Sequence, residues 1–498
     1  MTTACLAGRR RGAGRRRGVR IPNRYLIAVN FGPSEKNCPP MQGLIGLIGN
    51  EMFDRGTKNM VRLSLFATAA VFGLASPARA QDADVAPLAV AKPVQKVTAS
   101  PVVDSDVAPF YAAHPATLVW LRDVDSRAAA AKLVDFLKRS PIDGLAQGPA
   151  LASSVETAIA SGTPADDQII STAWVRYVQS LKRPEQNISF GDPSLQLQQP
   201  SPMSILSEAL AAPSLAQHVE AVASVNPMYS ALRDDAVAGG QQDDPHVRAT
   251  LDRLRLIPPR GRAILVDVAN AQLTMLDGGK IVDSMKVIVG KPDFPTPLLA
   301  GKIWYVTFNP YWHIPQDVAK RKVAPVVLKR GVAYLKAARY QTVAAFGGDK
   351  EEPIDPKKID WKGVAAGDVD VHIRQLTGPY NMMGKMKFGF VNDYGIFLHD
   401  TPHKDLFRKD KRNLSLGCVR VEHPEKLAEW LFGHEPPVPG DDAEENVRIG
   451  DDGVPIFITY LTARADGTSI AFADDVYKLD GRPGSGKAEA GASATAAK

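Results

Sequence analysis

The spacing of apolar residues divides the chain into a helical part followed by a part rich in strands. The clearest helical pattern begins at Asp166, where apolar residues recur three and four positions apart and so occupy one stripe of a helix. The stripe contains Ile169, Ile170, Ala173, Trp174, Tyr177, Val178 and Leu181. Residues 126–137 and 202–211 are further helix candidates. The pattern therefore predicts a helical domain over residues 110–255.

The strand-rich part begins after residue 262 and is interrupted once. Residues 263–268 and 272–276 are predicted strands, and Asp277-Gly278-Gly279-Lys280 predicts a hairpin turn into a strand at 281–289. Further strands are predicted at 302–308, 395–398, 454–461 and 469–472. Residues 316–346 have a mostly helical pattern with many Lys and Arg residues. These patterns predict an α+β protein, with a β-rich domain at 262–480 that carries a mostly helical insertion at about 316–363.

The N-terminal 80 residues are typical of an export segment. Arg62 precedes a short apolar run at 63–74, and Ala78-Arg79-Ala80 has the small-x-small pattern of a cleavage site. The run is too short for a comfortable transmembrane helix. A buried helix or an anchor is the alternative. We expect a secretory signal peptide cleaved after Ala80, translation starting at Met52 or Met60, and a periplasmic protein.

The segments that flank the two predicted domains have no helical or strand period. Residues 81–109 are rich in Ala, Val, Pro and Asp and are predicted to form a flexible linker. Residues 481–498 are rich in Gly, Ala and Ser and are predicted to be a disordered tail.

Charge changes its sign when the export segment is removed. The whole chain carries 60 Lys and Arg against 54 Asp and Glu, a net charge of +6. The first 80 residues hold 13 of the basic and 3 of the acidic residues, which leaves 47 and 51 and a net charge of −4. The basic character of the full chain is therefore no argument for nucleic-acid binding.

Removal of the export segment also leaves one cysteine. Cys5 and Cys38 lie within it, so Cys418 remains alone. A single thiol is either an inert core residue, a partner in an intermolecular disulfide or a nucleophile. An exported protein that uses no internal disulfide for stability favours a reactive thiol.

The surroundings of Cys418 favour the nucleophile. A thiol near its reference pKa of about 8.5 needs a base beside it, and His399, at the end of an apolar strand, is the candidate. Gly417 lets the backbone turn so that amide N–H groups, with Ser415 nearby, can face an oxyanion. Arg420 shares a face with Cys418 if the chain is extended, and its guanidinium could hold a substrate carboxylate.

Each of these residues also has an ordinary structural interpretation. Cys418 could be a small buried apolar residue, His399 a hydrogen-bonded surface residue, and Arg420 the ion-pair partner of Glu422. The spacing of His399 and His403 raises the alternative of a zinc site, but Pro402 and the preceding strand argue against a helix there. We therefore expect neither a metal nor a cofactor.

A longer stretch around Cys418 resembles a known enzyme family. Residues 394–427, YGIFLHDTPHKDLFRKDKRNLSLGCVRVEHPEKL, resemble the L,D-transpeptidases with a YkuD-type catalytic domain, in which a strand-end His precedes a Ser-x-Gly-Cys-x-Arg run. Segments 290–297, 308–315, 381–388, 457–462 and 475–477 look like the large periplasmic branch of that family. The helical region is similar, more weakly, to the scaffold domain of that branch. The chain departs from the family pattern at Leu416, where a polar residue is common. It also has no room for a peptidoglycan-binding module between residues 252 and 262.

The resemblance implies a function and roles for individual residues. Cys418 would attack a tetrapeptide stem of peptidoglycan, release D-alanine and pass the acyl group to an amine, with His399 as base and then acid. The other ring nitrogen of His399 would bond a backbone carbonyl, and the insertion would cap the site. Residues expected at the oxyanion or the substrate are Gly417, Ser415, Arg420, Tyr311, Trp312 and Asn381. Trp312 could instead be ordinary core packing.

The same resemblance leaves other functions open. One alternative keeps the chemistry but passes the acyl group to water, a free D-amino acid or a lysine of a wall-anchored protein. Another is a catalytically silent scaffold that binds the cell wall. The expected partners are peptidoglycan stem peptides, with carbapenem-type inhibitors acylating Cys418, and neither nucleic acid nor an integral membrane span after signal cleavage is expected.

Overall fold

The structure is a computed structural model that describes residues 106–480, apart from 186–187, 348–350, 438–439, 441–443 and 468. The predicted signal peptide, most of the predicted linker and the predicted tail lie outside the described residues. Among the helices of the described part, none is both long enough and apolar enough to cross a membrane.

A helical domain comes first in the described chain. Its helices are α1 (Ala108–Ala113), α2 (Val124–Arg139), α3 (Gly148–Ser161), α4 (Pro164–Leu181), α5 (Pro202–Ala211), α6 (Leu215–Ser224), α7 (Pro227–Ala238) and α8 (Pro245–Leu254). Helix α4 is the one with the clearest periodicity, and it begins at a capping box in which Thr163 and Asp166 satisfy each other's backbone N–H groups. Trp174 and Tyr177 of its apolar stripe are fully buried.

The strand-rich domain is one sheet that closes on itself. Its main strands are β2 (Ala263–Asp267), β3 (Gln272–Asp277), β4 (Lys280–Gly290), β5 (Leu299–Phe308), β9 (Met386–Phe390), β10 (Leu398–His399), β12 (Val419–Val421) and β14 (Val454–Thr459). Their order is β5-β14-β2-β3-β4-β12-β10-β9, and β9 pairs again with β5. Shorter strands join the edges: β1 (Ser189–Phe190) and β13 (Glu445–Arg448) pair with β5, and β11 (Asn413–Ser415) with β4.

Two further elements complete this domain. Helix α13 (Pro424–Phe432) follows β12 and buries Leu427, Ala428 and Leu431 in the core inside the sheet. Strands β15 (Ala463–Ala465) and β16 (Ile470–Phe472) form a hairpin near the C-terminal end of the described chain.

The helical domain packs against one face of the sheet. Leu265, Leu276, Ala300 and Phe457 from the sheet belong to the same buried apolar cluster as the helices. The opposite faces of these strands contribute to a separate core that contains Ile264, Val266 and Leu273. The alternation of the two sets follows from the two-residue period of a strand, with one face toward each core.

The insertion between β5 and β9 has a hydrophobic core of its own. It contains α9 (Gln316–Val318), a π-helical turn (Ala319–Val323), α10 (Ala324–Arg330), α11 (Ala333–Ala337) and α12 (Trp361–Ala366). It also contains a three-stranded sheet of β6 (Trp312–His313), β8 (His372–Gln375) and β7 (Tyr340–Val343), in that order. The insertion is therefore helical as predicted but wider than 316–363, because the strands at its two ends pair with each other.

Candidate active site

The ends of two parallel strands bring His399 and Cys418 to the same region. Leu398 pairs with Val419 and His399 pairs with Arg420, so β10 and β12 run side by side in the same direction. The Val419 N–H donates to the Phe397 carbonyl at 3.0 Å, which fixes the start of β12 beside β10. Cys418 immediately precedes β12 and lies two residues before Arg420, so an extended backbone places it on the face that carries His399.

The environment of His399 sets both its charge and its tautomer. Burial, with a smaller effect from the Arg420 cation, lowers the pKa of His399 to about 3. Its Nδ1–H donates to the Asp400 backbone carbonyl at 2.5 Å, so Nε2 is left as the proton acceptor. The Asp400 carboxylate turns away, accepting from the Lys385 N–H at 2.8 Å and facing Lys404 at 2.7 Å. A backbone carbonyl, and not a carboxylate, therefore orients this imidazole.

Cys418 is a partly exposed thiol whose resting form is neutral. Burial of the sulfur raises its pKa, and the Phe397 backbone, Arg420 and Lys387 oppose that effect. Its Sγ lies 3.9 Å from the Gly395 carbonyl, a weak acceptor contact for the S–H. A neutral thiol and a neutral imidazole on adjacent strands would suit a proton transfer that accompanies nucleophilic attack.

The loop before the thiol is held by one hydroxyl. Ser415 is 2% exposed, and its Oγ donates to the Cys418 carbonyl at 2.6 Å while accepting from the Gly417 N–H at 3.2 Å. Gly417 has φ of +120°, a conformation that side chains disfavour. The Ser415 hydroxyl and the Gly417 N–H thus both make their hydrogen bonds within the loop itself.

This geometry changes two predicted roles. Ser415 shapes the loop and does not point a free hydroxyl at a substrate. The Gly417 N–H is bonded to Ser415, whereas none of the hydrogen bonds among the described residues involves the Cys418 N–H. The Cys418 amide is therefore the better oxyanion donor, and Gly417 serves by setting the turn.

Sequence reasoning missed a second set of bonds behind the same loop. Thr296 Oγ1 donates to the Gly417 carbonyl at 2.7 Å and accepts from the Gly290 N–H at 2.9 Å. The Tyr477 hydroxyl donates to the Gly290 carbonyl and accepts from the Thr296 N–H at 3.2 Å. Thr296 and Tyr477 lie in segments whose resemblance to the family was visible, but their contact with the loop depends on folding that brings distant segments together.

Arg420 is a cation with unused hydrogen-bonding capacity. It is partly exposed, burial lowers its pKa, and its Nε is buried with no hydrogen-bond partner in the described part of the chain. Glu422, the alternative ion-pair partner, instead accepts from the Lys286 N–H at 3.1 Å. Arg420 pairs with His399 in the ladder. Its guanidinium is therefore available to an anionic ligand at the site.

The three predicted substrate residues of the insertion differ in their surroundings. Asn381 is 1% exposed, and its amide is fully bonded to backbone groups, so it has no capacity left for a substrate. Trp312 packs against the core of the insertion, with its ring 6.4 Å from that of Tyr340. Tyr311 is partly exposed, and the Arg374 guanidinium lies 4.4 Å over its ring. Tyr311 and Trp312 each keep a polar group, the hydroxyl and the indole N–H, that makes no hydrogen bond within the described part of the chain.

Lys387 is a further charged residue at the site that the sequence prediction did not include. It pairs with His399 across the β9–β10 ladder, so it faces the imidazole from the side opposite to Arg420. The sequence did contain a pattern that could have identified Lys387, since this lysine stands between the apolar residues Met386 and Phe388 in a short segment where apolar and polar residues alternate. Within the described ranges, no group of three or more His, Cys, Asp or Glu residues is arranged to hold a metal.

Comparisons with known proteins agree with this architecture. Residues 261–456 match the family model described as the L,D-transpeptidase catalytic domain, YkuD, and residues 105–235 match the one described as the Scaffold domain. A curated protein of Haemophilus influenzae, named as an L,D-transpeptidase, is 29% identical over 235 residues. That match spans 46% of this chain and 46% of the relative, so less than half of the relative's own length is covered.

Solved structures of the same family are more distant. An L,D-transpeptidase from Mycobacterium smegmatis is 13% identical, with a TM-score of 0.21, over 41% of this chain and 60% of its own. The catalytic domain from the E. faecium L,D-transpeptidase is 14% identical, with a TM-score of 0.19, over 40% of this chain and 98% of its own.

The two family models cover most of the helical domain and most of the closed sheet, including both His399 and Cys418. Residues 261–456 thus form an L,D-transpeptidase catalytic domain of the YkuD type, and residues 105–235 form a Scaffold domain in front of it.

Proposed function

We propose that the protein is a periplasmic peptidoglycan L,D-transpeptidase that forms cross-links between third-position residues of stem peptides. The donor is a tetrapeptide stem, and the bond attacked follows the L-centre of its third residue. The observation that carries the proposal is the register of β10 and β12, which sets Cys418 just before the partner strand of a buried, neutral His399 whose Nδ1–H is already held by a backbone carbonyl. Such a pair suits acyl transfer through a thioester.

Acylation requires one proton to move twice. His399 Nε2 takes the thiol proton as Cys418 Sγ attacks the carbonyl carbon, and the carbonyl oxygen becomes an oxyanion that the Cys418 N–H faces. When the C–N bond breaks, the imidazolium gives the proton to the leaving amine, and D-alanine departs. The acyl group remains on sulfur as a thioester.

Deacylation repeats the sequence with an amine as the nucleophile. The acceptor amine loses its proton to His399 as it attacks the thioester, and the thiolate leaves and recovers the proton. The insertion supports transfer to the amine over hydrolysis if it limits the access of water to the thioester. Its strand β6 follows directly after β5 and Tyr311, which joins the insertion to the catalytic sheet near Lys387.

The proposal is tested with purified protein and disaccharide tetrapeptide. We expect a cross-linked dimer that has lost one D-alanine, detected by mass spectrometry, and an increase in the mass of the intact protein when a carbapenem acylates Cys418. Cys418→Ser and His399→Gln should abolish or strongly reduce both signals. His434→Gln, a change of an exposed histidine outside the site, is the matched control and should leave them intact.

Other products would assign other functions. Tripeptide without dimer would replace the proposal with carboxypeptidase activity. Exchange of D-alanine for an added D-amino acid, or attachment to a protein lysine, would identify a different acceptor. The absence of both a product and a carbapenem adduct would overturn the proposal. It would favour a non-catalytic scaffold that binds the cell wall.

A further inference from the structure

Three side chains stand in one row across the strands that form the site. His399 pairs with Lys387 on the β9 side and with Arg420 on the β12 side. Residues directly opposite each other in neighbouring strands project from the same face of a sheet, so the imidazole stands between two cations. Both charges act on His399 and on the Cys418 thiol, which places both of them close to the reacting atoms.

The ammonium of Lys387 lies near Phe397, the residue of β10's approach that stands next to the start of β12. Its Nζ is 5.1 Å from the centre of the Phe397 ring, and the Phe397 carbonyl accepts from Val419, the residue after Cys418. Within the described ranges no carboxylate comes within ion-pair distance of Nζ. Burial lowers the pKa of Lys387, while Glu444, Cys418 and Glu351 act in the opposite direction at longer range.

The surface beside Lys387 carries an aromatic ring. Gly389, two residues further along β9, shares the face of Lys387 and pairs with Tyr305 of β5. A Cβ on Gly389 would stand 2.5 Å from the Tyr305 ring, so the glycine lets that ring lie across the strand. Tyr305 is 36% exposed. An aromatic ring and a glycine therefore adjoin the cation on this face of β9.

We propose that Lys387 binds the free carboxylate of the residue that leaves the donor peptide. The inference rests on the proposed function, in which that residue is a terminal D-alanine. Its carboxylate carbon is only three bonds from the carbonyl carbon that Cys418 attacks. A cation that binds this carboxylate must lie near the thiol and must not already form an ion pair with a carboxylate of the protein. Lys387 meets both conditions.

The recognition has a consequence for donor choice. A peptide that ends in a carboxylate one residue beyond the scissile bond pairs with Lys387, whereas one that ends in an amide leaves the buried ammonium without a partner. The site is thus specific for stems with one free terminal residue after the third position.

The test compares two donors that differ only at the C-terminus, a tetrapeptide acid and its primary amide. We expect the wild-type protein to release the terminal residue from the acid about 10- to 100-fold faster in kcat/KM, the range for a charge-assisted hydrogen bond. Lys387→Met should lower kcat/KM for the tetrapeptide acid by that factor and leave kcat/KM for the amide nearly unchanged. Lys387→Arg should restore part of the preference for the acid over the amide. Lys286→Met, an exposed lysine of β4, is the matched control.

The outcomes separate this inference from the proposed function. If the wild-type protein processes both donors equally, the role of Lys387 fails while the proposed function stands. If Lys387→Met slows both donors alike and shifts the pH profile of Cys418 alkylation upward, Lys387 acts on the thiol, and the inference is also overturned. If neither donor reacts and no thioester forms, it is the proposed function that fails.

Discussion

At the scale of the residue, the site holds a base and a nucleophile that are both neutral at rest. Burial disfavours the charged form of each group, which lowers the pKa of His399 and raises that of Cys418. The two flanking cations, Lys387 and Arg420, act against imidazolium formation but favour the thiolate. In the proposed reaction, the thiolate is therefore generated only when a substrate is present.

The protonation states predict an unusual pH dependence. Because the pKa of His399 lies at about 3, the imidazole remains a base at all pH values above that. We expect the rate constant for acylation by a carbapenem to be flat from about pH 5 to pH 8, without the inflection near 6.5 of an ordinary histidine. Stopped-flow measurement across that range checks this. An inflection between pH 6 and 7 would contradict the lowered pKa of His399, because it would show an imidazole that titrates in its ordinary range.

Among single residues, the sequence was sufficient for those whose type alone carries chemistry. Cys418, His399 and Arg420 could be named as candidates from their residue types, and the register of β10 and β12 places them on or beside neighbouring strands, while their roles stay predictions. The roles of Ser415 and Asn381 were not recognisable, because a hydroxyl or an amide serves a substrate or a backbone equally well. Which one it serves depends on carbonyl groups that come close only in the folded chain.

At the scale of the element, the insertion depends on a small anchor at its base. The chain enters the insertion after Pro310 and leaves it at Gln375 and Leu376. Asn381 Nδ2 donates to the carbonyls of all three at 3.0, 3.2 and 3.1 Å, and its Oδ1 accepts from the Met383 N–H at 2.7 Å. One buried amide thus holds together the two segments through which the chain enters and leaves the insertion.

Removal of that anchor should loosen the insertion while leaving the catalytic pair in place. We expect Asn381→Leu to cost about 2 to 4 kcal/mol in the free energy of unfolding, since several buried polar groups lose their partner. The ratio of cross-linked to hydrolysed product should fall as well. Urea denaturation and product analysis measure the two effects.

The control for this change is an exposed amide. Gln217→Leu on helix α6 should alter the free energy of unfolding by less than about 0.5 kcal/mol. If Asn381→Leu leaves the product ratio unchanged although stability falls, the insertion has no part in excluding water.

Elements with a strong period were predictable and those defined by pairing were not. Helix α4 and the hairpin of β3 and β4 follow from local spacing, because their hydrogen bonds are local. Strands β6, β7 and β8 were absent from the prediction, since they are two to four residues long and depend on partners far along the chain. Closure of the sheet through β5 and β9 is likewise a long-range contact that no local pattern encodes.

At the scale of the whole molecule, a buried ion pair joins the two domains. Arg253 at the end of α8 is 2% exposed, and its guanidinium donates to the Tyr460 carbonyl and to the Asp480 carboxylate, both at 2.6 Å. Asp480 also contacts Thr462. A helix of the scaffold domain, the segment that follows β14 and the end of the described chain therefore meet at one guanidinium.

Breaking this pair should destabilise the protein strongly. Arg253→Met leaves the Asp480 carboxylate buried without its cation, and we expect a loss of about 3 to 5 kcal/mol in the free energy of unfolding. Lys138→Met is the control, because the pair of Lys138 with Glu156 is exposed to solvent and should contribute little to stability. Chemical denaturation distinguishes the two, and a loss of similar size in both variants would contradict the assignment.

The contact of Tyr477 with Gly290 and Thr296 affects the point in synthesis at which the site can be completed. Tyr477 is made long after Cys418, yet its hydroxyl completes the bonds behind the Gly417 loop. A nascent chain still emerging during synthesis or export therefore has its thiol before it has its finished loop. Cleavage of the chain ahead of Tyr477 is therefore expected to weaken the bonds behind the Gly417 loop without changing either His399 or Cys418.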